Sequence, residues 1–385
     1  MKINFLLPCY AWGPSGGFKV VYEYANRLVA RGHNVNVIHP RRLKFPPPEK
    51  LTPRKRVQIA RIWFREIRSE PVIHWHRVDP RVRLLYVPSS DSSYIPDGDI
   101  LFATAWHTVR SVMECPISKG EKCYLIQHYE TFQGPQNLVD ETWRSPLRKV
   151  VVSKWLADLS ETLGSGEVVH IPIGIDHQVY RVLNPIAQRP RQIAMMFSHV
   201  PFKRSADGIR ALEIAKQHFA DLQVILFGVS RRRPAIPGWM TYLNDPPQQH
   251  LVENVLNTSS IVLSPSLAEG FGLPPAEGAA CGCAMVATDS GGVRDFIIHG
   301  KTGLLSPPED PEALARNLCL LLANDDLRVR LAQAGRNFVA GLNWEHSADL
   351  LESFLKCGER NQISNHSTVA VTSPPQMRIS RLEMN

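Results

Sequence analysis

Short runs of β-branched and apolar residues alternate along this chain with longer stretches of helical periodicity, and that alternation leaves few folds open. Residues 3–7 (INFLL) read as a strand, 17–31 as an amphipathic helix and 34–38 as a second strand. Apolar runs at 100–104, 122–127 and 149–152 continue the series, with a helical stretch at 153–163. The rhythm then restarts with strands at 193–198, 223–228, 260–264, 284–288 and 303–305, and helices at 205–219 and 248–256 between them. Strands that alternate with helices build parallel sheets covered on both faces. A chain of 385 residues has room for two such domains, so the expected fold class is α/β, two Rossmann-like doubly wound domains in tandem.

The pattern is interrupted at 179–192, where two prolines and several polar residues replace it, and the domain boundary is expected there. The first domain is assigned to residues 1–182 and the second to 183–342. From 311 to 339 the chain reads as largely helical, and a further helix is expected at 343–357 with Trp344 near its start. Residues 358–385 have little periodicity and are expected to be disordered.

Hydrophobic residues make up 44% of the chain and charged residues 21%, the balance of a globular protein. Apolar runs stay below the ~18 residues of a membrane span. The first residues read as a strand rather than a signal peptide. Seven cysteines show neither CxxC nor Cys/His metal spacing, which favours reduced thiols and a cytoplasmic setting. The net charge of +8 is uneven: residues 41–68 hold ten Lys or Arg against two Glu. There the sequence RVQIARIWFREIR has the form of a basic amphipathic helix, suited to an anionic acceptor or to peripheral contact with the inner face of a membrane. The opposing reading is an ordinary surface helix. Nucleic acid is not expected as a partner, because no nucleic-acid-binding module accompanies the charge.

The segment SPSLAEGFGLPPAEGAACGCAMVATDSGG (264–292) carries the chemistry. A buried strand leads through a glycine-containing loop into a helix whose first positions suit Pro274 and Pro275. Loops at the carboxyl ends of parallel strands are where open α/β sheets bind ligands. Gly270 and Gly272 let backbone N–H groups approach a ligand, and the helix N-terminus favours an anion such as a phosphate. Carboxylates accept hydrogen bonds from hydroxyl groups. Glu269 and Glu277, on either side of that turn, therefore fit a ligand with hydroxyls at both ends and phosphates between.

These residues resemble the E-x7-E signature of the family 4 retaining glycosyltransferases. The resemblance includes Ser264, Pro265 and Ser266 before the first Glu, and Gly291, Gly292 and residues 300–305 (GKTGLL) after the second. It implies the GT-B fold, with a C-terminal helix (343–357) crossing back onto an acceptor-binding first domain. It also implies transfer of a sugar from a nucleoside diphosphate sugar, with retention and without a metal or other cofactor. The acceptor is expected to be a saccharide or lipid-linked saccharide, as in polysaccharide assembly. Glu277 is expected on ribose, Glu269 on the transferred sugar, and the backbone of Phe271 and Leu273 on the diphosphate.

Further positions follow from the same resemblance. Gly16 and Gly17, in WGPSGGFKVV, match the glycine loop after the first strand. His128, in QHYETF, matches the histidine near the donor sugar; His107 is its rival, and Glu130 is placed near the acceptor. Lys203 matches a phosphate-binding Lys, His199 stands where the family has Arg, and Arg204 where it has Gly. The nucleobase is expected at Tyr242 and Leu243. Asp97 and Asp99 imitate a metal motif but read as a turn. A nucleotide-sugar epimerase, a sugar phosphorylase and a catalytically silent sugar-nucleotide-binding partner remain alternatives.

Overall fold

The computed structural model describes residues 1–11, 13–45, 73–230 and 235–366, with side chains through 357. The basic amphipathic sequence at 56–68 lies outside these residues. Seven strands form the first sheet: β1 (Lys2–Leu6), β2 (Asn34–Pro40), β3 (Arg83–Val87), β4 (Ile100–Ala103), β5 (Glu121–Ile126), β6 (Arg148–Val151) and β7 (Val168–His170). Their order is β3-β2-β1-β4-β5-β6-β7 and every pairing is parallel. The second sheet holds β8 (Gln192–Met196), β9 (Gln223–Gly228), β10 (Met240–Asn244), β11 (Ile261–Ser264), β12 (Ala284–Thr288) and β13 (Gly303–Ser306). It is also all parallel, in the order β10-β9-β8-β11-β12-β13.

Both orders reverse once, between β1 and β4 in the first sheet and between β8 and β11 in the second. At such a reversal the connections leave to opposite faces and open a crevice at the carboxyl ends of the strands. The central strands are buried on both faces, as parallel strands must be when helices cover them: Phe5, Phe102, Leu125, Leu263 and Val286 are all 2% exposed or less. The strands that the sequence pattern does not reveal, β3, β7 and β10, are all sheet edges, where few residues are buried.

Helix Gly16–Ala30 buries Phe18, Val21, Tyr22, Ala25, Leu28 and Val29, a helical-period stripe, against the first sheet. The stretch expected to be largely helical from 311 to 339 is two helices, Pro311–Ala323 and Asp325–Val339. Asn324 has extended backbone between them, and its side chain accepts the Leu327 N–H at 2.9 Å as the N-cap of the second.

The chain crosses from one sheet to the other between 171 and 191 and returns near 340–344. The two crossings touch: the Ile175 N–H donates to the Leu342 carbonyl at 2.9 Å. The returning helix, Trp344–His366, packs on Gly16–Ala30, with Trp344 edge-on to Tyr24 and Arg31 bonded to Asp349 at 2.6 Å. It continues through residues 358–366, which the sequence pattern assigns to a disordered tail. Extending an existing helix avoids the cost of nucleation, so weak periodicity does not stop it.

Candidate active site

The loop after β11 is held by backbone bonds. The Glu269 N–H donates to the Ser290 carbonyl at 2.7 Å, and the Gly292 N–H donates to the Glu269 carbonyl at 3.1 Å. Gly272, at φ +103°, is the N-cap of helix Leu273–Ala280, and Pro274 and Pro275 follow in its first turn. That left-handed conformation is accessible to glycine at little cost. The consequence is a rigid turn that places Glu269 before the helix and Glu277 within it.

Both glutamates are nearly buried, at 6% and 8% exposure, and each meets a lysine. Lys203 lies in the loop after β8, on the other side of the strand-order reversal, and its Nζ donates to both Glu269 oxygens at 2.7 and 2.9 Å. Glu277 is met from the other domain: Lys19, on helix Gly16–Ala30, places its Nζ 2.5 Å from Oε1. The same Nζ lies 3.2 Å from the Tyr180 hydroxyl, which also accepts from Gln248 at 3.3 Å. Burial alone would lower the Lys19 pKa, but the Glu277 carboxylate and Tyr180 outweigh it and the net shift is upward.

The two domains meet at this turn. A Cβ on Gly270 would lie 1.8 Å from the Gln127 carbonyl oxygen, so only glycine permits the approach. The Trp155 indole donates to the Gly270 carbonyl at 3.1 Å, and the Lys154 N–H donates to Asp295 at 3.0 Å. Gly16 lies against Leu273 and Gly17 against the Gln127 side chain. The glycine loop therefore abuts the N-terminus of helix Leu273–Ala280. Phe271 is buried against Phe296.

His128 reaches the same seam. Its Nδ1 faces the Tyr129 carbonyl at 3.0 Å and its Nε2 the Ala268 carbonyl, one residue before Glu269, at 3.4 Å. Burial lowers its pKa, and a neutral ring donates to one of these carbonyls at a time. The rings of Phe132, Phe202 and Trp155 surround it. His107 has a pKa lowered to about 4 by burial. Glu130 accepts the Trp106 N–H at 2.7 Å, capping helix Trp106–Met113, and burial raises it to about 7 against that bond.

Other residues expected on the donor have partners of their own. Arg204, considered for a phosphate, pairs with Asp207 at 2.7 Å and Glu309 at 3.2 Å. Its φ is +47°, the left-handed region that glycine fills without strain, so the position has a backbone reason to favour glycine. His199 is exposed and packs edge-on against Phe197. Tyr242 and Leu243 lie on the edge strand β10, where the Tyr242 hydroxyl accepts from the Ser230 N–H at 3.1 Å. Asp97 bonds Lys119 and Ser118, and Asp99 accepts the Lys2 N–H, so both serve the turn before β4. Among the described residues no group of three or more His, Cys, Asp or Glu is placed to hold a metal.

Lys19, Gln127, Trp155 and Tyr180 are among the seam residues that sequence reasoning misses, with Lys154 and Asp295. Lys19 alone left a signal: a lysine at the fourth position of a helix opposes the helix dipole.

Two parallel-sheet α/β domains joined by a double crossing, with their glycine turns in contact, constitute the GT-B fold of glycosyltransferases. Solved structures agree over almost the whole chain. Sucrose-phosphate synthase from Thermosynechococcus elongatus has a TM-score of 0.67 at 17% identity, covering 95% of this chain and 100% of that one. HepE from Anabaena, in complex with UDP and glucose, gives 0.68 at 14% identity, covering 93% and 100%. TarM from S. aureus gives 0.70 at 10% identity, covering 92% and 99%.

Sequence likeness is confined to a shorter stretch. Residues 241–338 match the family "Glycosyl transferases group 1". D-inositol 3-phosphate glycosyltransferase of Corynebacterium urealyticum is 36% identical over 110 residues, 29% of this chain and 26% of that protein. An uncharacterized glycosyltransferase of Methanocaldococcus jannaschii is 34% identical over 94 residues, 24% and 27% of the two chains. The chain thus spans about a quarter of the length of the curated relatives it matches. No described helix is long and apolar enough to cross a membrane.

Proposed function

We propose that the protein is a retaining glycosyltransferase that moves a sugar from a nucleoside diphosphate sugar to a hydroxyl of a saccharide or lipid-linked saccharide acceptor, in assembly of a polysaccharide or other glycoconjugate. The observation that carries this reading is the turn at 269–277: two buried carboxylates flank a helix N-terminus, and each is paired with a lysine. Hydroxyls can replace the lysines on the carboxylates while phosphates take the lysines. The fold neighbours HepE and TarM, whose structures contain UDP, support a nucleotide donor.

In this reading the ribose hydroxyls donate to Glu277 and hydroxyls of the transferred sugar donate to Glu269. Lys203 and the N–H groups of Gly16, Gly17 and residues 271–273 stabilise the diphosphate as charge grows on the leaving oxygen. The bond from the anomeric carbon to the phosphate oxygen breaks, and a bond to the acceptor oxygen forms on the same face. The acceptor proton passes to the departing phosphate. His128, beside Ala268, borders the sugar, and the closed seam keeps water out. The reaction proceeds without a metal, and chelators leave turnover unchanged.

Thermal shift with a panel of nucleoside diphosphates, on wild type and Glu277→Ala, tests the donor site. A shift in wild type that shrinks in the variant is the expected result; equal shifts remove Glu277 from it. Anomeric NMR of the product should show the same configuration as the donor, and a product of opposite configuration refutes the retaining mechanism.

A further inference from the structure

Lys19 is a cation in an expensive place. It sits at the end of the first turn of helix Gly16–Ala30, where the helix dipole disfavours positive charge, and its side chain is only 14% exposed. Its partners lie across the seam: Glu277 of the second domain and Tyr180 of the crossing segment. Structural ion pairs this deep cost desolvation and are weak stabilisers, so stability alone accounts poorly for it.

The surroundings attract an anion. Gly16 abuts Leu273, so the N-termini of helices Gly16–Ala30 and Leu273–Ala280 converge beside Lys19. Each N-terminus presents unpaired N–H groups and partial positive charge. Of the side chains expected on the phosphates, Arg204 is engaged by Asp207 and Glu309, and Lys203, paired with Glu269, belongs to the second domain, so none comes from the first.

We infer that Lys19 is an exchange residue of the donor site: it neutralises Glu277 while the site is empty and transfers to the diphosphate when ribose takes Glu277. The inference rests on the donor reading above and adds a cation from the opposite domain to the phosphate site. It has a specific consequence. A nucleoside lacking phosphates must displace Lys19 from Glu277 and gives it no new partner, whereas a nucleoside diphosphate supplies one. Lys19 therefore penalises the nucleoside and rewards the diphosphate, which steepens discrimination between the two.

The test is calorimetric binding of uridine and UDP, adenosine and ADP, and guanosine and GDP to full-length protein. The base that binds wild type is then used with Lys19→Met and with the charge-balanced pair Lys19→Met/Glu277→Gln. Lys19→Met should weaken the diphosphate by about tenfold or more and tighten the nucleoside, so the two affinities converge. The double variant leaves no unpaired buried charge; nucleoside and diphosphate ligands share any ribose loss from Glu277→Gln, so their affinity ratio should stay reduced, which guards against misfolding of the single variant. If nucleotide binds and the diphosphate-to-nucleoside ratio is unchanged in both variants, Lys19 is a structural tie and the inference fails. If wild type binds none of the six compounds, nor thymidine and its diphosphate, the donor reading itself fails.

Discussion

Glu269 and Glu277 sit on one rigid turn, yet they are held by different halves of the molecule. The Glu269 carboxylate accepts two hydrogen bonds from Lys203, a residue of its own domain, while that of Glu277 accepts from Lys19 across the seam. The first pair exists whenever the second domain is folded. The second joins one domain to the other. One carboxylate is thus held within its own domain and the other ties the two domains together; under the proposed function the first takes the transferred sugar and the second the donor's ribose, eight residues apart in sequence.

Four perturbations test that division. The largest effect is expected from Glu269→Ala, which should lower turnover about a hundred- to a thousandfold while leaving nucleotide affinity within about threefold. A parallel loss of nucleotide affinity would erase the distinction between the two sites. Gly270→Ala places a methyl group against the Gln127 carbonyl and holds the seam open; turnover should fall about a hundredfold, as misplacement of about 1 Å can cause. Lys203 would still pair with Glu269, and small-angle scattering should show a wider molecule. Unchanged scattering and turnover would mean the seam is looser than its contacts imply.

Trp155→Phe removes the indole bond to the Gly270 carbonyl and should cost about 1 kcal/mol in urea unfolding, with a modest rise in donor KM. A variant as stable as wild type would show that the bond contributes nothing. The smallest effect concerns acid. Burial depresses His39, His76 and His107, all in the first domain, to about 4. Unfolding lets each take a proton near pH 6.5, so stability is present above that pH and is lost as pH falls towards 4. His107→Gln should recover on the order of 1 kcal/mol of that loss; a variant with wild-type acid sensitivity would clear His107 of a role.

Legibility follows burial and sequence distance. The central strands are recognisable because burial on both faces demands unbroken apolar runs, as at 260–264. The edges β3, β7 and β10 carry no such demand. Within the site, the turn from Glu269 to Glu277 can be read because its parts are local: proline at the helix start, glycine at the cap. The contact between Lys19 and Glu277 spans 258 positions, and no local pattern records it. Arg204 has a local partner as well. Its residue type points to phosphate, but Asp207 lies three residues on and takes the guanidinium first.

The double crossing between the domains has a mechanical meaning. Residue 175 and residue 342 are joined side by side, and a Cβ on Gly174 would lie 2.3 Å from the Trp344 nitrogen, so the two connections form a single flat strap. Two connections held side by side resist twisting more than a single one would, so the domains are tied by a pair of backbone crossings rather than by one. A protease that cut one connection would leave the other holding both halves in register.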